Sequence, residues 1–184
     1  MAPSGSASGP VRVEASIHAL ETLGFRVKAS THCADVKGYL AGEDATRARE
    51  LEAAFLDPET AAVICLKGGY GTPRILDLID YSIVASHPKV FLGYSDITAL
   101  HIAFRQMAGL VTFHGPMPSS DMVPDFDPAS RTSLESVLFG EFCAPWESAP
   151  HGQVAHGELT PRQVAPEQAA SPSKATPPSP IHLH

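Results

Sequence analysis

The sequence predicts an α/β fold: a mostly parallel sheet with flanking helices. Three observations carry this expectation. Two continuous apolar runs, AAVICL (61–66) and KVFLGY (89–94), read as strands buried on both faces, the habit of strands in parallel sheets. Helical periodicity falls before, between and after them, which makes βαβ units. A loop rich in glycine follows the first run and a Gly-Tyr-Ser-Asp segment ends the second, so both sit at carboxyl ends of strands, where ligands meet such sheets.

In chain order, residues 11–23 place Val13, Ile17, Leu20 and Leu23 at helical spacing, and Gly24 is a C′ stop. FRVKA (25–29) alternates like a short strand. A second helix spans about 44 to 56 with Ala48, Leu51 and Phe55 on one face, Asp44 as its N-cap and Asp57-Pro58 closing it. KGGYGT (67–72) follows the first apolar run. Thr72 and Pro73 read as N-cap and N1 of a helix carrying Ile75, Leu76, Leu78 and Ile79. SDITALHIAFRQM (95–107) is helical, GLVTFHG (109–115) a strand, PMPSSDMVPDFDP (116–128) a loop and RTSLESVLFG (131–140) a last short helix. From Pro161 onward six prolines, no aromatic residue and no periodicity predict disorder, because so little apolar area cannot offset the chain entropy.

Composition narrows the function. With 184 residues the chain can build one domain with a real core. A net charge of −7 without a basic stripe argues against nucleic acid as a partner. No apolar run approaches the roughly 18 residues of a membrane span, and MAPSGSASGP lacks the charged and apolar regions of a secretory signal. Cys33, Cys65 and Cys143 are odd in number, widely spaced and form no CxxC pair, which fits a reduced, cytoplasmic protein with neither metal site nor disulfide framework.

Ser95 is the leading candidate for chemistry. A serine on a sharp strand-to-helix turn projects its hydroxyl above the sheet, and the N–H groups of Asp96 and the next residues point to the same space. Only the first glycine of the usual G-x-S-x-G elbow is present, so Ser95 as a plain N-cap, with Asp96 favourable to the helix dipole, stays open on pattern. Gly68-Gly69-Tyr70-Gly71 could expose N–H groups to a ligand or merely turn the chain; it matches neither the P-loop nor GxGxxG. His101 lies six residues after Ser95, about 9 Å along a helix axis, too far for a direct pair. For His101 and His114 a structural or substrate-shaping role is favoured over a general base. His182 and His184 are read as inert, and Asp77, Asp80 and Glu135 as solvated helix-face charges.

The segments KGGYG and GYSDITALH, within the stretch from Gly38 to His101 and followed by GLVTFHGPM, resemble the N-terminal domain of the LD-carboxypeptidases. These serine peptidases remove a C-terminal D-residue from a muropeptide. A related branch hydrolyses the peptide-nucleotide antibiotic microcin C. The likeness covers about residues 1–160. It implies a Rossmann-like nucleophile domain over 1–150, the start of an interdomain linker over 151–160 and an unrelated tail over 161–184. It implies Ser95 as nucleophile, backbone amides of Asp96 and Gly69 as oxyanion donors, and Gly68 and Tyr70 beside them in substrate binding. It implies a peptide substrate and, as family members commonly form, a homodimer; no cofactor is expected, and the charge and hydropathy already argue against nucleic acid and membrane as partners.

The family's Glu and His lie in a separate C-terminal domain, and nothing here resembles it; Glu158 and Glu167 have no periodic scaffold. MAPSGSASGP resembles the family's loop after a first strand that is absent, and HGELT (156–160) the junction into the second domain, after which the sequence departs as if by a frameshift. The expectation is therefore a carboxypeptidase by lineage, inactive as this chain. The alternatives are a catalytically dead peptide-binding module and a non-functional gene fragment.

Overall fold

In the computed structural model, which describes residues 1–139, the two apolar runs become neighbouring parallel strands. β1 (Ala62–Ile64) pairs with β2 (Val90–Gly93), Val63 opposite Phe91. β3 (Phe113–His114) joins the other edge of β2, so the order among the described residues is β1-β2-β3. The ladder takes up only the carboxyl end of the expected strand 109–115.

Side chains alternate across this sheet with period two, and both faces are covered. Val63, Cys65 and Phe91 pack on one face with α2 (Asp44–Leu56), α3 (Tyr81–Ser86) and α4 (Thr98–Ala103). Phe104 fills that layer, its ring edge-on to Phe91 at 4.8 Å and to Phe55 at 5.5 Å. Ile64, Leu92 and Phe113 face the other way, toward α1 (Pro10–Thr22) and α5 (Pro128–Phe139). The stretch 2–7 is wholly buried, with Ala2 and Ala7 packed on Val13 and Leu66.

α1 ends as its sequence predicts. Leu23 caps it, Gly24 takes φ 89°, Gly24 N–H bonds Glu21 O and Phe25 N–H bonds Leu20 O, the two bonds of a Schellman stop. Five expectations are corrected. Residues 25–29 alternate in exposure as a strand would, but have no ladder partner among the described residues. Asp44 is the first residue of α2 rather than its cap, and its carboxylate instead pairs with Arg47 and Arg74. Thr72–Leu78 is a 3₁₀ helix capped by Gly71; three residues per turn stack Thr72 over Ile75, and both are buried. Asp80 is no idle surface charge, since its carboxylate accepts from Ser82 N–H and caps α3. The region expected as loop, 116–128, contains a π-helical turn, Pro118–Met122.

Cys33 and Cys65 are free and buried. Among the described residues no helix is long and apolar enough to cross a membrane. Cys143, the boundaries at 151 and 161, the tail and its histidines and glutamates lie outside the described residues.

Candidate active site

The site forms where β2 stops. Tyr94 continues the extended backbone at φ −157°, and Ser95 then turns it sharply with φ 61°. A left-handed conformation is costly for a residue with a Cβ, so the turn stores strain. Helix begins at once: a 3₁₀ turn (Ser95–Ile97), then α4, then a π-helical turn (Phe104–Ala108) stopped by Gly109 at φ 67°. Ile97, buried completely, anchors the turn in the core. Ser95 is exposed and its hydroxyl caps nothing. The plain N-cap reading thus finds no hydrogen bond to support it.

The glycine loop closes on this serine. A Cβ on Gly68 would meet Ser95 Cβ at 3.1 Å, Ser95 Oγ at 3.2 Å and Asp96 N at 3.6 Å. Gly69 has φ 146°, and a Cβ there would meet Gly5 Cα at 2.9 Å. The buried N-terminal stretch is therefore the floor of the loop, and Gly5 N–H donates to Gly68 O at 3.1 Å. Tyr70 points outward, 82% exposed.

Two charged side chains rivet the loop. Asp96 Oδ2 accepts from Gly71 N–H at 2.9 Å, Thr72 N–H at 2.8 Å and the Thr72 hydroxyl at 2.5 Å, and also from the Ser4 hydroxyl. Burial works to raise this carboxyl, but the donors from Ser4, Thr72 and Gly71 outweigh it and hold it below the usual carboxylate range. The Asp96 side chain thus serves the neighbouring loop and not its own helix. On the other side Arg47, 1% exposed, donates to Gly71 O at 3.0 Å, to Pro3 O and to the Asp44 carboxylate.

The histidines do not reach the serine hydroxyl. His101 Nε2–H donates to Gly93 O at 2.9 Å and Nδ1 accepts from the Thr112 hydroxyl at 2.8 Å, so the ring is a neutral cross-link among β2, α4 and the chain entering β3. Burial pushes its pKa down, only partly opposed by the Gly93 carbonyl. His114 is exposed, its ring 5.8 Å from that of Tyr94. Tyr94 hydroxyl in turn donates to Asp121 at 3.0 Å, and Asp121 accepts from Met117 N–H at 2.8 Å.

Ser95, Asp96, Gly68 and Gly69 are therefore brought together. Ser4 and Arg47, which complete the assembly, carried no motif, and Thr72 was read only as a helix cap; for Arg47 a lone arginine on the apolar side of α2 was the visible signal. Among the described residues no group of three His, Cys, Asp or Glu is placed to hold a metal ion.

The family model of the LD-carboxypeptidase N-terminal domain matches residues 1–115. A probable murein peptide carboxypeptidase of Bacillus subtilis is 45% identical over 130 residues, 70% of this chain and 41% of the relative. A murein tetrapeptide carboxypeptidase of Pseudomonas aeruginosa is 37% identical over 106 residues, 57% of this chain and 34% of the relative. Among solved structures, the MccF-like protein from Bacillus anthracis has a TM-score of 0.61 at 37% identity, covering 65% of this chain and 37% of that one. The muramoyltetrapeptide carboxypeptidase from Oxalobacter formigenes has a TM-score of 0.67 at 29% identity, covering 75% and 47%. The chain spans about two fifths of the length of the first of these curated relatives and about one third of the second.

Proposed function

The chain belongs to the LD-carboxypeptidase family, and on that premise we propose that it supplies the nucleophile side of a cytoplasmic serine carboxypeptidase acting on muropeptide-like peptides. The observation that carries this is the left-handed turn at Ser95, set at the carboxyl end of β2 against the glycine loop.

In this reading Ser95 Oγ attacks the carbonyl carbon of the scissile L–D bond while its proton passes to a general base. The oxyanion accepts hydrogen bonds from the N–H groups of Asp96 and Gly69. Collapse expels the amine of the terminal D-residue and leaves an acyl ester on Ser95, which water then hydrolyses. Tyr70, exposed on the loop, meets the substrate. Among the described residues no imidazole or carboxylate hydrogen-bonds Ser95 Oγ; His101 is locked and Asp96 is spent on the loop. The base, a His oriented by a Glu, thus comes from outside residues 1–139.

The test compares muropeptide tetrapeptide cleavage by this polypeptide with cleavage by a fusion to the C-terminal domain of the Bacillus subtilis relative. Cleavage by the fusion alone, abolished by Ser95→Ala, is expected. A folded fusion that cleaves equally well with Ser95→Ala defeats the serine assignment. The locked state of His101 favours one second reading, a module that binds the peptide without cutting it. That reading gains if the folded fusion binds tetrapeptide in calorimetry but leaves both it and a microcin C-type peptide-nucleotide intact.

A further inference from the structure

Lys67 links β1 to the glycine loop, and it is partly buried. Every other partly or wholly buried lysine or arginine among the described residues has partners. Arg12 and Lys89 donate to backbone carbonyls, and Arg47 to Gly71 O, Pro3 O and Asp44. Lys67 makes no hydrogen bond and no ion pair among the described residues. A cation drawn partly out of water is unfavourable until an anion meets it.

Its place is set by the strand. The ladder runs on through Leu66, since Cys65 N–H bonds Leu92 O and Leu66 N–H bonds Met1 O. Cys65 packs beside Gly93 in the layer of Ile97, and Leu66 packs on the opposite face with Ala2 and Val13. Period-two alternation therefore sets Lys67 on the face of Cys65, one step nearer the turn at Ser95. A Cβ on the next residue, Gly68, would stand 3.2 Å from Ser95 Oγ. One peptide unit further back, Lys67 Cα lies within about 9 Å of that hydroxyl. The lysine stem spans about 6 Å of this. The carboxylates nearby are already engaged: Asp96 by Ser4, Gly71 and Thr72, Asp44 by Arg47 and Arg74, and Asp121 by Tyr94 and Met117.

We propose that the Lys67 ammonium binds the free α-carboxylate of the substrate's last residue and so makes the site select a chain end. This rests on the carboxypeptidase reading above. When the last peptide bond is the scissile one, the terminal carboxylate carbon lies three bonds beyond the carbonyl carbon, no more than about 4 Å away. A carbonyl seated for attack by Ser95 Oγ thus brings that carboxylate within reach of Lys67. A longer or amidated peptide presents a neutral amide there and leaves the ammonium unpaired, which is discrimination against the wrong substrate. The contact is made in the bound peptide and kept until the amine departs. It therefore acts on binding, and its loss raises KM with little effect on kcat.

The probe is acetyl-L-alanyl-D-alanine, compared with its C-terminal amide. Each is titrated by NMR into the isotope-labelled full chain carrying Ser95→Ala. The free acid should shift the N–H signals of Gly68, Gly69 and Tyr70 saturably, and the amide should not. Lys67→Met should weaken the acid about tenfold, the worth of one charge-assisted hydrogen bond at a partly exposed site. Lys67→Arg should keep the preference. Should Lys67→Met not fold, Lys67→Gln removes the same charge and the same loss is expected. Equal binding of acid and amide overturns the proposal, as does absence of saturable shifts or undiminished binding by a folded neutral variant. A loss with His114→Gln in place of Lys67→Met also overturns it, because the carboxylate then sits on the imidazole. Cleavage by the fusion keeps the two readings apart. Turnover that survives Ser95→Ala defeats the nucleophile assignment alone. Ser95-dependent turnover whose KM is unchanged by Lys67→Met defeats the carboxylate site alone.

Discussion

A methyl group on Gly68 would stand 3.1 Å from Ser95 Cβ and 3.2 Å from Ser95 Oγ. The glycine loop and the serine turn thus define one another. The loop can lie against the turn because residue 68 has no side chain, and the turn offers its hydroxyl there because Ser95 accepts a left-handed backbone.

Gly68→Ala follows directly. The backbone at 68 is not left-handed, so the cost is contact and not torsion. Overpacking of this kind costs about 1–3 kcal/mol, and the serine turn has to give by a few tenths of an ångström. Gly109→Ala is the contrasting control: φ is 67° but nothing lies within 4 Å of its Cβ. It should lose about 1–2 kcal/mol through torsion alone. Urea unfolding should show both losses, while Ser95-dependent hydrolysis by the fusion should fall for Gly68→Ala only.

Ser95→Gly should stabilise the domain. Glycine adopts φ 61° without the Cβ penalty, so relief of strain should outweigh the extra freedom it gives the unfolded chain. A gain of about 0.5–1 kcal/mol over Ser95→Ala, which keeps the Cβ, is expected. Equal urea midpoints for the two variants would mean that no strain resides at this turn.

How much of this was legible beforehand varies with the kind of signal. Strands β1 and β2, helices α1 and α2 and the serine turn were readable because each is fixed by local pattern: apolar runs, helical spacing, and glycine at a stop or loop. The failures have a common cause in long-range partners. Residues 25–29 have the alternation of a strand, yet alternation says nothing about whether an edge is available to pair with. Asp96 looked like a helix-dipole residue because its sequence neighbours are helical, while its actual donors, Gly71, Thr72 and Ser4, lie 24 to 92 residues away. Arg47 sits inside because two backbone carbonyls and Asp44 surround it, and no helical wheel contains that information.

Asp96 should make the loop sensitive to acid. Its carboxyl is held below its ordinary value in the folded domain, so the unfolded chain takes up the proton first. The stabilisation is complete above the unfolded value of about 3.9 and is lost as pH falls through the folded value. Asp96→Asn should cost about 2–3 kcal/mol at neutral pH, the worth of hydrogen bonds to a charged acceptor. The difference from the parent chain should shrink below about pH 4. Amide exchange at Gly71 and Thr72 is the local readout, and both should quicken in the variant. Unchanged exchange there would show that the loop is held without Asp96.

His101 should add a second, milder acid transition above the first. Its ring is neutral and doubly hydrogen-bonded, and burial depresses its pKa in the folded state. Above the unfolded value of about 6.5 both states are neutral and the cross-link is fully effective. As pH falls below that value the unfolded chain binds a proton that the folded ring refuses, so stability drops until pH passes the folded value. Protonation would also turn the Nδ1 acceptor into a donor, so the Thr112 hydroxyl would have to reverse from donating to accepting. A glutamine can present one donor to Gly93 O and one acceptor to Thr112 without titrating. His101→Gln should therefore lie within about 1–2 kcal/mol of the parent at pH 8, a conservative change in a partly buried site. Between pH 6.5 and pH 5 the parent should lose stability faster than the variant. Urea midpoints at pH 8, 6 and 5 decide the matter: parallel slopes would assign the acid response to other groups, and converging slopes assign it to this ring.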